Sequence, residues 1–246
     1  MATPEVTIQI DQNTLTALVN GGFQLYGYTA VECSDRAGLP AVWLCTKNFS
    51  LTTSVTVPAG YDAFTASAMT LAPGATLRPG FEVPIQKGQV LEVNQAGGTG
   101  SVKSGGEPGT VTILNQTETQ YTCGLMQNGE SGGQAAAAPI CGFDLYGGGI
   151  QLITPLQKVL FLFSSVVAAP GTMVELSKGP GILIDLTDND APTIQFDINQ
   201  GWSWGGYAWA QTVAANTDLR PVLVQYSVPL ASLSATLKER VLSKAL

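Results

Sequence analysis

An all-β fold, built as two related β-sandwich-like repeats and closed by a short C-terminal helix, is what this sequence predicts. First, 28 glycines and 14 prolines cut the 246 residues into short runs, and only 12% of residues are charged against 45% hydrophobic, about half the charged quarter usual in globular domains. Second, those runs are rich in β-branched and aromatic residues, many alternating polar with apolar at period two. Third, the chain repeats itself. Gly22-Phe23-Gln24-Leu25-Tyr26-Gly27 recurs as Gly142-Phe143-Asp144-Leu145-Tyr146-Gly147, and Leu91-Glu92-Val93-Asn94-Gln95 recurs as Phe196-Asp197-Ile198-Asn199-Gln200. Self-similarity at about half the chain length reads as duplication of one supersecondary unit.

The elements follow in order. Val6, Ile8 and Ile10 alternate as a half-buried strand does, and Asp11-Gln12-Asn13 is either a tight turn or the cap of a short segment Leu15 to Val19. Strands are predicted at 23–31, 41–57, 61–71, 81–86 and 89–95, then a glycine-flanked surface excursion at 97–109, then Val111 to Leu114. These make up a first repeat, 1–122. Residues 123–140 hold Asn128-Gly129, Gly132-Gly133 and Ala135 to Ala138, the composition of a linker. A second repeat, 141–231, carries strands at 143–153, 158–168, 171–176, 181–187, 193–199, 206–213 and 221–227. In 232–246, Leu233, Leu237 and Val241 recur every four residues behind Ser232 and Ser234, which predicts a terminal amphipathic helix. The halves are either tandem sandwiches or intertwined parts of one larger sandwich. The short linker and the apolar content of both halves favour closely packed units with a shared interface.

Charge and termini bound the partners. A net charge of −7 offers no platform for phosphate backbones, so nucleic acid is not an expected partner. The longest apolar run, Val159 to Phe163, is strand-sized, and no transmembrane span is expected. Met1 to Glu5 leads straight into the first strand without a basic or long apolar leader, which predicts a soluble protein, either cytoplasmic or released by a signal-independent route. Cys33 with Cys45, and Cys123 with Cys141, bracket loop-like segments. Two disulfides or four reduced thiols fit equally.

The chain contains no histidine, which removes the commonest general base and metal ligand. There is also no Cys-x-x-Cys, P-loop, dinucleotide fingerprint or Gly-x-Ser-x-Gly. A non-catalytic protein with no metal and no cofactor is expected. Asp185, Asp188, Asp190 and Asp197 read as solvated turn residues, because the spacing lacks the glycine and distal glutamate of a calcium loop. The Phe-x-Leu-Tyr-Gly boxes read as packing, with Phe and Leu inward and Tyr26 and Tyr146 outward.

One segment stands apart. Trp202, Trp204, Tyr207 and Trp209 fall within eight residues, interrupted by Gly205-Gly206. Aromatic rings beside flexible glycines build platforms for sugar rings or lipid headgroups, because each ring offers an apolar face and a polar edge. These four are the candidate ligand-binding residues, and the expected function is recognition of a cell-surface glycan or membrane lipid headgroup. A sharper form is a membrane-damaging, homo-oligomeric pore-forming toxin, with Thr52 to Val57 and the 97–109 loop as movable β segments. The alternatives are a self-assembling shell protein and a carboxylate-based hydrolase.

Overall fold

The computed structural model describes residues 3–131 and 134–227. Strands make up 51% and helices 7% of it, so the fold is all-β. The first elements are β1 (Glu5–Ile10), α1 (Gln12–Asn20), β2 (Gln24–Cys33), β3 (Leu39–Pro40), β4 (Leu44–Thr46), β5 (Thr52–Thr56), β6 (Tyr61–Ser67), β7 (Phe81–Ile85), β8 (Gln89–Val93), β9 (Gly100–Ser104) and β10 (Val111–Asn115). There follow β11 (Tyr121–Ser131), β12 (Gln134–Pro139), β13 (Cys141–Leu145), β14 (Ile150–Ser164), β15 (Gly181–Asp185), β16 (Thr193–Asp197), β17 (Gly201–Ser203), β18 (Ala210–Val213), α2 (Arg220–Leu223) and β19 (Val224–Tyr226).

Two sheets result. The ten-stranded sheet runs β17-β16-β1-β5-β11-β13-β3, with β6 and β12 also pairing β11, and β7 pairing β6. The nine-stranded sheet runs β18-β15-β14-β10-β8-β9, with β2 on β14, and with β4 and β19 on β2. Val6, Ile8, Val55, Leu125 and Phe143 from the first sheet join Leu25, Val31, Leu91, Ile113 and Phe161 from the second in one buried cluster. The main core therefore lies between the sheets.

Asp11 resolves as a cap. Its Oδ1 accepts hydrogen bonds from the backbone N–H of Asn13 (2.7 Å) and Thr14 (2.8 Å), which satisfies donors that the first turn of α1 leaves open. Within 123–140, expected as a linker, residues 123–131 and 134–139 are instead strand: β11 pairs β12 from Met126↔Pro139 to Ser131↔Gln134. One of its glycines serves close approach. A Cβ on Gly129 would lie 3.0 Å from the Trp43 indole, so this glycine makes room for a core ring rather than loosening the chain.

Strands from 1–122 pair directly with strands from 141–231. β1 pairs β16 in parallel, and β2 pairs β14 along most of its length. A boundary between 1–122 and 141–231 would cut both ladders. Strand pairing does not confirm a duplication of the whole unit. The two Phe-x-Leu-Tyr-Gly boxes lie in different sheets, and their tyrosines differ: Tyr26 is 1% exposed and Tyr146 60%. Tyr26 does face outward, but that face is covered by a second apolar cluster with Val174, Leu219 and Leu223. The expected helix at 232–246 lies outside the described residues.

Two expected mobile segments are placed in sheets. β5 sits between β1 and β11, hydrogen-bonded on both sides. The 97–109 excursion contains β9, an edge strand paired along its whole length with β8. All four cysteines are free thiols. Cys45 lies opposite Tyr26 on the neighbouring strand, while Cys33 is seven residues further along β2. At about 3.3 Å per residue that separates them by roughly 23 Å, where a disulfide requires Cα atoms within about 7 Å.

Candidate binding site

The aromatic segment carries the chain from the edge of one sheet to the edge of the other, from β17 to β18. In β17, Trp202 lies opposite Phe196 of β16, so the strand period sends Trp202 inward and Ser203 outward. Trp202 is 7% exposed. Its ring stacks on Phe163 at 5.7 Å and meets Phe196 at 4.7 Å, and its Nε1–H donates to the Pro180 carbonyl at 3.0 Å. Trp202 is thus a core residue, not part of a binding surface.

The other three predicted residues emerge at the surface. Gly205 and Gly206 have φ of 77° and 73°, two consecutive left-handed residues that side chains other than glycine resist. They turn the chain back on itself. The half-buried Trp204 closes this turn, its Nε1–H donating to the Tyr207 carbonyl at 2.8 Å. Tyr207 is 63% exposed, and its ring lies 6.1 Å from that of Trp209 with only 15° between their planes. The two rings are stacked, with Tyr207 the more exposed of the pair. Trp209 is half-buried against the core, and its carbonyl accepts the Asp185 N–H at 2.7 Å, which ties the loop to the nine-stranded sheet.

Beside Trp209 is a recess of about 210 Å³ whose polar groups are Lys158, Asp185 and Gln211. Lys158 and Asp185 face each other across β14 and β15 and form an ion pair at 3.5 Å. Burial pushes the Asp185 carboxyl up, but hydrogen bonds from Thr187 and the Lys158 ammonium outweigh it, and the group titrates below its ordinary value. The recess therefore presents a carboxylate, the ammonium paired with it and an amide next to an indole. These residues come from three strands far apart in sequence. Only the preference of long-range pairing could have brought Lys158 to Asp185, and no local pattern announces it.

A separate apolar recess of about 270 Å³ lies on the outer face of the nine-stranded sheet, lined by Tyr26, Tyr28, Val166, Val167, Met173 and Leu176. There the Tyr26 hydroxyl donates to the Val166 carbonyl at 2.8 Å and accepts from the Ala168 N–H at 3.1 Å. Among the described residues, no three His, Cys, Asp or Glu side chains come together to hold a metal ion, and no helix is long and apolar enough to cross a membrane. No protein-family model, curated protein or solved structure matches this chain.

Proposed function

We propose that this protein binds carbohydrate, seating a sugar ring against the Tyr207–Trp209 surface with its hydroxyls directed to Asp185, Gln211 and Lys158. The observation that carries the reading is the parallel pair of rings, one of them 63% exposed, held by a braced turn beside an ionised carboxylate and an amide. Aromatic faces accept the apolar C–H face of a pyranose, and carboxylate and amide groups fix the orientation of its hydroxyls. A lipid phosphate is served less well, because the one ammonium of the recess is already paired with Asp185. The strand Thr52 to Thr56, bonded to a neighbour on each side, supports a sugar-binding reading over a membrane-inserting one.

The test is a glycan array followed by titration of the best ligand. Tyr207→Ala and Trp209→Ala are each expected to weaken binding at least tenfold, and Asp185→Asn severalfold, while far-ultraviolet circular dichroism stays unchanged. Binding to phosphatidylcholine or phosphatidylserine vesicles with no glycan bound would overturn the proposal, as would glycan binding untouched by Tyr207→Ala and Trp209→Ala together.

A further inference from the structure

One polar groove of this fold arises from a short repetition in the sequence. Thr7-Ile8-Gln9-Ile10-Asp11 and Thr193-Ile194-Gln195-Phe196-Asp197 share four of five residues. The fold lays them side by side as the parallel strands β1 and β16, in a register that sets each residue against its own counterpart: Thr7 opposite Thr193, Ile8 opposite Ile194, Gln9 opposite Gln195. The period of two then separates the chemistry. Ile8, Ile10, Ile194 and Phe196 enter the core, and the threonines, glutamines and aspartates line the outer face. β17 extends the row, placing Ser203 opposite Gln195.

The result is a groove of about 470 Å³ whose polar lining is Gln9, Asp11, Gln195, Asp197, Gln200 and Ser203. That volume is within the range of small-ligand clefts, about 300–1,000 Å³. Its groups are held in place by the fold. Gln195 Nε2 donates to Gln9 Oε1 at 3.3 Å, and Asp197 Oδ1 accepts from the backbone N–H of Asn199 (2.7 Å) and Gln200 (2.8 Å). Asp11 is fixed by its capping bonds. The second atom of each Gln9 and Gln195 amide, and the Ser203 hydroxyl, have no hydrogen bond to another described residue. Donors and acceptors thus alternate across strands about 4.8 Å apart.

We infer that this groove is a second ligand site, for a neutral saccharide, on the opposite sheet from the Tyr207–Trp209 surface. Charge selects the class. The lining includes two carboxylates and neither lysine nor arginine, so phosphates, sulfates and uronic acids are repelled. A neutral polyol offers hydroxyl donors to the carboxylates and both donors and acceptors to the amides, and so can satisfy every group in the row. The groove contains no exposed aromatic platform, so its ligand is held by hydrogen bonds, in contrast to the stacking surface. The inference shares a ligand class with the proposed function but rests on different residues.

Nuclear magnetic resonance separates the two sites, because each has its own reporter. The indole N–H signals of Trp204 and Trp209 report the aromatic loop. The side-chain NH₂ signals of Gln9, Gln195 and Gln200 report the groove. The ¹⁵N-labelled protein is titrated with cellotetraose, N-acetylchitotetraose and mannotetraose, with tetragalacturonate as the anionic comparison. The expected result is a saturable shift of the glutamine NH₂ signals with at least one neutral sugar and none with tetragalacturonate. Gln9→Ala with Gln195→Ala should weaken this binding at least tenfold while the indole shifts persist. Ser203→Tyr, which fills the groove from the exposed side of an edge strand, should do the same. Movement of the indoles alone would overturn the inference and leave the proposed function standing. Movement of the glutamines alone would support the inference and overturn the proposed function. Silence of both sets with all sugars would overturn both.

Discussion

The division of the aromatic segment into a core ring and surface rings predicts opposite consequences for neighbouring substitutions. Trp202→Ala deletes an indole that is 7% exposed and packed on Phe163 and Phe196. Truncating a buried tryptophan costs about 3–5 kcal/mol, and the Pro180 carbonyl that loses its indole partner adds about 1 kcal/mol. The sum is about 5 kcal/mol, a large part of the roughly 5–15 kcal/mol that stabilises a typical domain. For a chain of this size each kcal/mol moves the melting temperature by about 2–4 °C, so Trp202→Ala should melt at least 10 °C lower. Tyr207→Ala removes a side chain that is 63% exposed, and such changes usually stay within about 0.5 kcal/mol. Urea unfolding followed by circular dichroism, with equal m-values, measures both. A Trp202→Ala midpoint within error of the parent, or a Tyr207→Ala loss above about 2 kcal/mol, would refute the placement of the two rings.

Gly27→Ala should cost about 1–3 kcal/mol by overpacking, because the new methyl would sit 3.1 Å from both Leu44 and Phe161; a neutral urea midpoint would contradict this packing. Gly206→Ala meets no atom within 4 Å but imposes a φ of 73° on alanine, and that strain, about 1–2 kcal/mol, should appear as either lower stability or a reorganised loop with weaker sugar binding. In native protein a maleimide should label Cys45 first, since Cys33, Cys123 and Cys141 are buried and burial pushes the Cys33 thiol up to about 11 and Cys141 to about 12; mass spectrometry counts the labels, and early labelling of Cys123 would contradict the fold. With no histidine, stability should be flat from about pH 5 to 8. It should then fall below about pH 3.8, because the Arg220 guanidinium holds Asp218 below its ordinary 3.8 and protonation of that carboxyl on acidification removes its contribution.

Local chemistry was legible wherever one residue type settles the backbone. The alternation Val6, Ile8, Ile10 gave a strand because only period-two burial satisfies it, and Asp11 appeared as one of two options because an aspartate before Gln-Asn-Thr caps a helix or closes a turn. What local reading could not supply was the partner. Glycines in 123–140 look the same whether they loosen a loop or admit a ring, and it is Trp43, more than eighty residues earlier, that makes Gly129 the second kind. In the same way, the inward direction of Trp202 depends on Phe163, nearly forty residues earlier, whose ring reaches it from the other sheet.

The repetition most useful for placing a site was in the sequence throughout. Thr-Ile-Gln-x-Asp recurs with four of five residues matched, where Leu91 to Gln95 and Phe196 to Gln200 share only Asn and Gln. Similarity in a sequence says that two segments suit the same environment. It does not say that they are neighbours. Here they are neighbours, in parallel and in register, and that adjacency turns a pair of ordinary amphipathic strands into a row of matched polar groups. The same strand pair explains the aromatic loop. β17 is a three-residue edge strand on β16, so the chain must leave that sheet after Ser203 and reach β18 on the other sheet within a few residues. Trp202 anchors the departure, the Trp204 indole closes the turn, and the Trp209 carbonyl receives the arrival. Under the proposed sugar-binding reading, a loop held at these three points would need less ordering on binding, and that lowers the entropy that opposes association.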